Sequence, residues 1–335
     1  MKDLTIIGAG PVGLFAIFQA GMLGIKSHVI DILPEVGGQC TAMYPEKYIY
    51  DIPAIGKITG GDLIKSLYDQ ASPFNPTYQL NSKVSTIEKL NDHLEIHINN
   101  GEIIKSKAVI IAAGGGAFTP NKPMAGNLSL YEDKYIFYNV KDKNRFQDKN
   151  ILIAGGGDSA LDWTNELKDI ANKIYLVHRR NKFKGMNSIV EQIKDDHYKE
   201  KIEIIMPYQI QEFLGDNGIL NGVDLKNSLN DEIKKLDIDY ALLFFGLVSN
   251  YDDLKNFNVN LHDKRSVMIN STTCKTSVDR IYAIGDIAHY ENKLQLILTG
   301  FAEAASACHQ IYSILNDGQK PDTNYSTSKG ISEIK

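Results

Sequence analysis

Leu4-Thr5-Ile6-Ile7-Gly8-Ala9-Gly10-Pro11-Val12-Gly13 is the stretch that decides how this chain folds. A short apolar run enters a GxGxxG turn, and a helical apolar pattern follows from about Val12 to Leu23. Ser27 to Asp31 then reads as a second strand. The switch from a short apolar run to a helical period marks a β–turn–α–β unit. In such a turn Gly8 permits the tight bend and Gly10 lets the backbone approach a pyrophosphate. Gly13 lets the helix pack close to the strand. Unpaired amides at the helix N-terminus favour the phosphates. Asp31 closes the second strand, where a carboxylate accepts hydrogen bonds from a ribose hydroxyl pair and repels a 2′-phosphate.

Outward from that unit, the same pattern recurs once. Asn150 to Ala154 is a strand, and Gly155-Gly156-Gly157-Asp158-Ser159-Ala160 is a GxGxxA turn. A helix is predicted through about Ile170, and Lys173 to Val177 is the next strand. Here the strand runs into His178-Arg179-Arg180, with no acid where Asp31 stood. Guanidinium forks suit a 2′-phosphate through charge-assisted, often bidentate bonds. The second turn is therefore expected to hold NADPH rather than NADH, through Gly155, Gly157, Ser159, Arg179, Arg180 and Lys184. A solvated basic loop is the alternative reading of the same run. Two such units predict two dinucleotide sites in an α/β fold of two Rossmann-like three-layer domains.

Between the units, Val84–Leu90 and His93–Ile98 alternate as antiparallel strands. Ala108–Ala112 is a continuous apolar strand that ends in Gly114-Gly115-Gly116. Asp239–Phe245 is a further buried strand. Ile281–Ile284 leads into Gly285-Asp286, and a last helix is expected over about Gly300–Leu315. An Asp in the position of Asp286 suits the ribityl and pyrophosphate part of a flavin cofactor, or caps a helix.

The 335 residues suggest two domains, and 43% hydrophobic content supplies two cores. A net charge of -5 does not speak for a nucleic-acid partner. The three cysteines, Cys40, Cys274 and Cys308, include no CxxC pair. A disulfide framework is therefore not expected, and a reducing cytoplasm fits. No metal site is assigned. The longest uncharged run, roughly Ala108 to Asn121, is too short and glycine-rich to span a membrane. The first strand leaves no room for a signal peptide, so no membrane association is expected.

Taken together, GxGxxG, GxGxxA, His-Arg-Arg-Asn-Lys-Phe-Lys at 178–184 and Ile284-Gly285-Asp286 resemble the low-molecular-weight thioredoxin reductase architecture over nearly the whole chain. The resemblance implies a split FAD domain, 1–117 and 248–335 with a C-terminal extension from about 317. An NADPH domain at 118–247 is inserted in it. The Cys-x-x-Cys that thioredoxin reductases carry before the second glycine turn is absent, since 135–150 contains no cysteine. Gly37-Gly38-Gln39-Cys40 begins another disulfide-reductase pattern, but position 45 is Pro45. Without a dithiol no thiolate attacks a disulfide. What remains resembles the thioredoxin-reductase-like ferredoxin–NADP reductases, through Tyr44-Pro45-Glu46-Lys47-Tyr48-Ile49-Tyr50-Asp51 and the tail Tyr325-Ser326-Thr327-Ser328.

That resemblance implies the following roles. Tyr44 stacks on one face of the flavin ring system, and Tyr325 covers the other from the partner subunit of a homodimer, at a place where members often carry His. Asp31, Gln39, Tyr44, Val84, Phe118, Asp286 and Thr327 match the family's FAD contacts. NADPH passes a hydride to the flavin, and the electrons go singly to ferredoxin or flavodoxin. No general acid or base is assigned. Hinges are expected near Phe118–Pro123 and Phe245–Asn250. Lys141, Lys143, Arg145 and Lys149 offer a carrier surface or, interleaved with Asp142 and Asp148, a solvated loop. Rival readings are a disulfide reductase using Cys40, an NADPH oxidase or quinone reductase, and a non-catalytic flavin redox sensor.

Overall fold

A computed structural model describes residues 1–185, 190–193 and 200–321. The chain divides into two compact units, Met1–Phe118 with the chain from Ser249 onward, and Thr119–Val248. The second unit is thus an insertion in the first. The chain passes between them in the strands Ala117–Pro120 and Leu247–Asn250.

The first unit is built on a parallel sheet. In spatial order its strands are Thr77–Gln79, Ser27–Ile30, Lys2–Ile7 and Ile103–Ile111. Ile281–Ala283 pairs parallel to the far half of Ile103–Ile111, while Leu94–Ile98 pairs antiparallel to its near half. Strand order reverses at Lys2–Ile7, which places a topological switch point at its C-terminal end.

Period-two alternation sends side chains to two different cores. Leu4 and Ile6 join Val29, Ala108 and Ile110 beneath the helices Pro11–Met22, Gly60–Ala71 and Ile297–Leu315. Ile7, Ile30, Val109 and Ile111 face the other way, onto Ile87, Leu94, Ile96 and Phe257. A sheet covered on both faces is the reason its strands read as unbroken apolar runs. The first helix opens with Pro11 at its first turn, where a missing N–H costs nothing. Thr59 caps the Gly60–Ala71 helix, its hydroxyl accepting from the Asp62 amide at 3.1 Å.

The second unit repeats the plan. Ile136–Phe137, Tyr240–Phe244, Asn150–Gly155, Lys173–Val177 and Ile202–Ile205 form an all-parallel five-stranded sheet. The Asp158–Leu167 helix buries Ala160, Leu161, Trp163, Thr164 and Leu167, a stripe at helical spacing. Tyr208–Asp216, Ile219–Asn227 and Ile233–Asp237 add a three-stranded antiparallel sheet. Among the described residues no helix is long and apolar enough to cross a membrane.

Helix ends differ modestly from expectation. The helix after the second glycine turn stops at Leu167, where the Ile170 amide tightens the chain into an i−3 turn onto the Leu167 carbonyl at 3.0 Å. The last helix begins at Ile297, about a turn before Gly300.

Candidate active site

Within the first unit a cavity opens at the switch point. Gly8, Gly10, Asp31, Gln39, Tyr44, Val84, Phe118 and Asp286 all line it. Every one of them was singled out from the sequence. Gly13 sits behind the wall, in the helix. A Cβ there would lie 2.0 Å from the Gly8 carbonyl oxygen, so the third glycine of the turn is demanded by backbone contact. A Cβ on Gly8 would meet the Ala112 carbonyl at 2.3 Å, and its φ of +110° is itself unsuited to a side chain. Gly10 differs: the nearest atom to its Cβ position is the Gly38 Cα at 3.9 Å. A methyl at Gly10 would meet no crowding from the protein. Tyr325 and Thr327 lie outside the described residues.

Asp31 is 7% exposed at the rim. Its two oxygens accept from the Ala9 amide at 2.6 Å and the Leu33 amide at 2.8 Å. Burial nevertheless pushes its carboxyl above the usual range, with the backbone amides pulling the other way. Asp286 is raised too, again chiefly by burial, which the Lys293 charge opposes. That side chain is open to solvent from the cavity, and water there screens the effect. Each carboxylate oxygen has a second lone pair, and two partly desolvated carboxylates on one cavity favour a ligand that brings hydroxyl donors. The Ile297–Leu315 helix places its first residue at the same cavity, so the partial positive end of its dipole favours negative charge there.

Several lining residues carried no functional role in the sequence reading: Ser82, Lys83, Tyr251, Asp253 and Phe257. Lys83 and Asp253 form an ion pair at 2.6 Å. Both come from segments whose contact is set only by the fold. The turn Gly114-Gly115-Gly116 also lines the cavity. Its place at the C-terminal end of a buried parallel strand was the signal that could have assigned it.

The thiols are not arranged for disulfide chemistry. Cys40, Cys274 and Cys308 are free and buried. Burial raises the Cys40 thiol, which also donates weakly to the Tyr44 hydroxyl at 3.7 Å. Cys274 and Cys308 are both pushed up to about 12, again mainly by burial. Such thiols are structural rather than nucleophilic.

In the second unit Gly155, Gly157 and Ser159 sit at the corresponding strand–helix turn. A Cβ on Gly155 would lie 2.7 Å from the Phe244 carbonyl and 2.8 Å from Ala160, whereas one on Gly157 would meet nothing within 4 Å. Arg179, Arg180 and Lys184 are exposed just beyond the Lys173–Val177 strand. They converge electrostatically. The His178 imidazole is held below 6.5, first by burial and then by the charges of Arg180, Arg179 and Lys184. His178 stacks on Phe183, with ring centroids 5.6 Å apart, and its ring backs onto Gly156. The Lys184 amide donates to the Gly156 carbonyl at 2.7 Å, fastening the cationic loop to the glycine turn. His178 carried no role in the sequence reading.

The Lys141–Lys149 stretch forms a short turn. Asp142 accepts from the Asn144 amide, and the Arg145 guanidinium lies 4.7 Å over the Phe137 ring. Arg145 and Asp142 therefore have local structural work.

Residues 2–304 match the family described as pyridine nucleotide-disulphide oxidoreductase. The ferredoxin–NADP reductase of Rickettsia rickettsii (strain Sheila Smith) is 52% identical over 329 residues, covering 98% of this chain and 96% of the relative. That of Ehrlichia canis (strain Jake) is 48% identical, covering 98% and 97%. Among solved structures, the thioredoxin reductase of T. acidophilum matches with a TM-score of 0.72 at 26% identity, covering 93% of this chain and 97% of that one. The Lactococcus lactis thioredoxin reductase matches in fold with a TM-score of 0.73 at 22% identity, covering 95% and 100%. A glycine-turn cavity in one unit, a cation-flanked glycine turn in the other and a family match over nearly the whole length give one conclusion: this chain belongs to the pyridine nucleotide-disulphide oxidoreductase family.

Proposed function

We propose that this chain is an FAD-dependent ferredoxin–NADP reductase, taking electrons from NADPH to a one-electron carrier protein of the ferredoxin or flavodoxin type. The observation that carries the reading is the combination of two nucleotide-type sites with three buried, unpaired thiols of raised pKa. The relatives at 48% and 52% identity bear the same name over almost their full length.

The residues fit FAD in the first unit. The open space beside Gly10 receives the pyrophosphate and the Asp31 carboxylate receives ribose hydroxyls. Asp286 takes the ribityl chain, Tyr44 stacks on the ring system, and Val84 adds a further contact from the cavity wall. Gln39, Phe118 and, from the tail, Thr327 complete the contacts, and Tyr325 covers the second ring face within a homodimer. When bound, the flavin supplies the ability to accept a hydride and release electrons one at a time. The protein's part is to orient it and to place the Ile297 helix end where negative charge builds up. In the second unit the Gly155–Gly157 turn receives the NADPH pyrophosphate. Arg179, Arg180 and Lys184 bind the 2′-phosphate, with Ser159 at the helix start. No side chain need move a proton in the hydride step. We place the protein in the cytoplasm, a reducing compartment that suits three free, buried thiols.

The test is anaerobic, NADPH-driven reduction of a bacterial ferredoxin or flavodoxin, followed through cytochrome c. Thioredoxin with a chromogenic disulfide is assayed in parallel. Carrier-dependent cytochrome reduction without disulfide turnover is expected. Disulfide turnover without carrier reduction would overturn the proposal. Flavin reduction with neither output would point to an oxidase or a sensor.

A further inference from the structure

Behind the Gly285–Asp286 turn lies a buried ion pair that the glycine turns and Tyr44 do not account for. The Lys293 and Glu303 side chains are each 5% exposed. Glu303 Oε2 accepts from the Gly285 amide at 2.7 Å. Its Oε1 accepts from the Tyr290 hydroxyl at 3.0 Å and also takes the Lys293 ammonium. Glu303 stands in the Ile297–Leu315 helix, whose first residue lines the cavity, as do Gly285 and Asp286. That helix is pressed close at this point. A Cβ on Gly300 would lie 2.4 Å from Val12 and 3.3 Å from the Gly285 Cα. One carboxylate, about two turns into that helix, thus ties it to the Gly285–Asp286 turn and to the loop that carries Tyr290 and Lys293.

Stability does not explain such a pair. Two buried charges can often be replaced by well-packed apolar residues at no loss, whereas removing one partner strands the other. What the pair provides is position and a local balance of charge. We propose that Lys293 and Glu303 form a positioning pair for the flavin. Their bonds hold the Gly285–Asp286 turn and the helix start in the geometry that receives the cofactor, and their opposed charges set its reduction potential. The inference rests on the reading of this cavity as the FAD site.

The experiment compares Glu303→Gln, Lys293→Met, the double variant and Tyr290→Phe in the full-length protein. FAD affinity and the midpoint potential of the bound flavin are both measured. Each single charge variant is expected to weaken FAD binding by about tenfold or more, the usual scale for removing a group that orients a binding residue. Their potentials shift in opposite directions. Glu303→Gln leaves an uncompensated ammonium, which favours the more negative reduced flavin and raises the potential; Lys293→Met leaves a carboxylate and lowers it. The double variant returns toward wild type in both readouts, because neither buried charge is then left without its partner, while the Gln side-chain amide accepts from the Gly285 N–H there as it does in the single Glu303→Gln variant. Tyr290→Phe leaves the ion pair intact and removes one hydrogen bond. It supplies a graded case, with an affinity loss of about three- to tenfold, if a single charge variant does not fold. Wild-type affinity in both single variants overturns the inference. So do potentials that stay put while only the melting temperature falls, a double variant no better than the worse single, or wild-type binding in Tyr290→Phe where the single variants cannot be read. Wild-type protein that takes up no FAD overturns the cavity reading itself, an outcome distinct from all of these.

Discussion

Replacing Gly10 and Gly13 separately by alanine should split one motif into a ligand-binding part and a folding part. Gly10 has φ -70° and ψ -177°, a conformation alanine adopts without strain. Its Cβ would find only the Gly38 Cα, at 3.9 Å. The free protein should therefore tolerate Gly10→Ala, and gain up to about 1 kcal/mol from reduced freedom of the unfolded chain. The added methyl occupies the space assigned to the pyrophosphate. Losing two charge-assisted amide bonds at about 1.5–3 kcal/mol each removes at least about 3 kcal/mol of binding. That corresponds to a hundredfold or greater rise in the FAD dissociation constant, at about 1.4 kcal/mol per tenfold. Gly13→Ala behaves oppositely. Its Cβ would lie 2.0 Å from a backbone carbonyl that cannot rotate away, so the helix must lift off the strand. Overpacking of this kind costs about 1–3 kcal/mol or more, against a helix-propensity gain of about 1 kcal/mol. Thermal unfolding of flavin-stripped protein and FAD titration by fluorescence quenching give both quantities. A Gly10→Ala protein that binds FAD as tightly as wild type, or a Gly13→Ala protein that melts like wild type, refutes the assignment of roles.

The second glycine turn makes a matching case: Gly157→Ala should unfold no more easily than wild type, because nothing lies within 4 Å of the added carbon, while the KM for NADPH rises. Arg179→Ala and Arg180→Ala should each raise the KM for NADPH by about 10- to 100-fold through loss of a charge-assisted bond, with the KM for NADH unmoved in steady-state assays. Asp31→Asn should lower the melting temperature, because an amide can accept from only one of the Ala9 and Leu33 N–H groups and turns an NH₂ against the other, a cost of about 1–3 kcal/mol. His28 is held below its usual pKa mainly by burial. The unfolded chain therefore takes up the proton more readily, so the stability from neutral His28 is complete above 6.5 and is lost as pH falls toward the folded value. Urea midpoints measured between about pH 7.5 and 5 should drop more steeply for wild type than for His28→Gln, and equal slopes would count against a buried neutral His28.

The parts of this molecule legible in its sequence are those where neighbouring residues make the structure. Leu4–Ile7 and Asn150–Ala154 read as strands because a parallel sheet buried on both faces needs unbroken apolar runs, and the glycine turns read as ligand sites because their spacing is local. Tyr44 became readable only through resemblance, since nothing in an aromatic-rich stretch separates a cofactor partner from a packed ring. The antiparallel sheet of Tyr208–Asp237 went unread for a physical reason. Register shifts at Ile210/Glu212 and Leu214/Gly215 break the period-two signal where it would have been strongest. The Lys83–Asp253 pair, the His178 ring behind Gly156 and the Lys293–Glu303 pair were unread for another. Each joins segments that meet only through the tertiary fold, or gives a charged or aromatic residue a partner that spacing cannot name. Lys293 and Glu303 sharpen the point, because a lysine and a glutamate ten positions apart look like ordinary surface residues until one carboxylate is found holding the Gly285 amide. Where a sequence places charges in a region that folding makes dry, the partner of each charge is the quantity to find, because a stranded one carries its full desolvation cost.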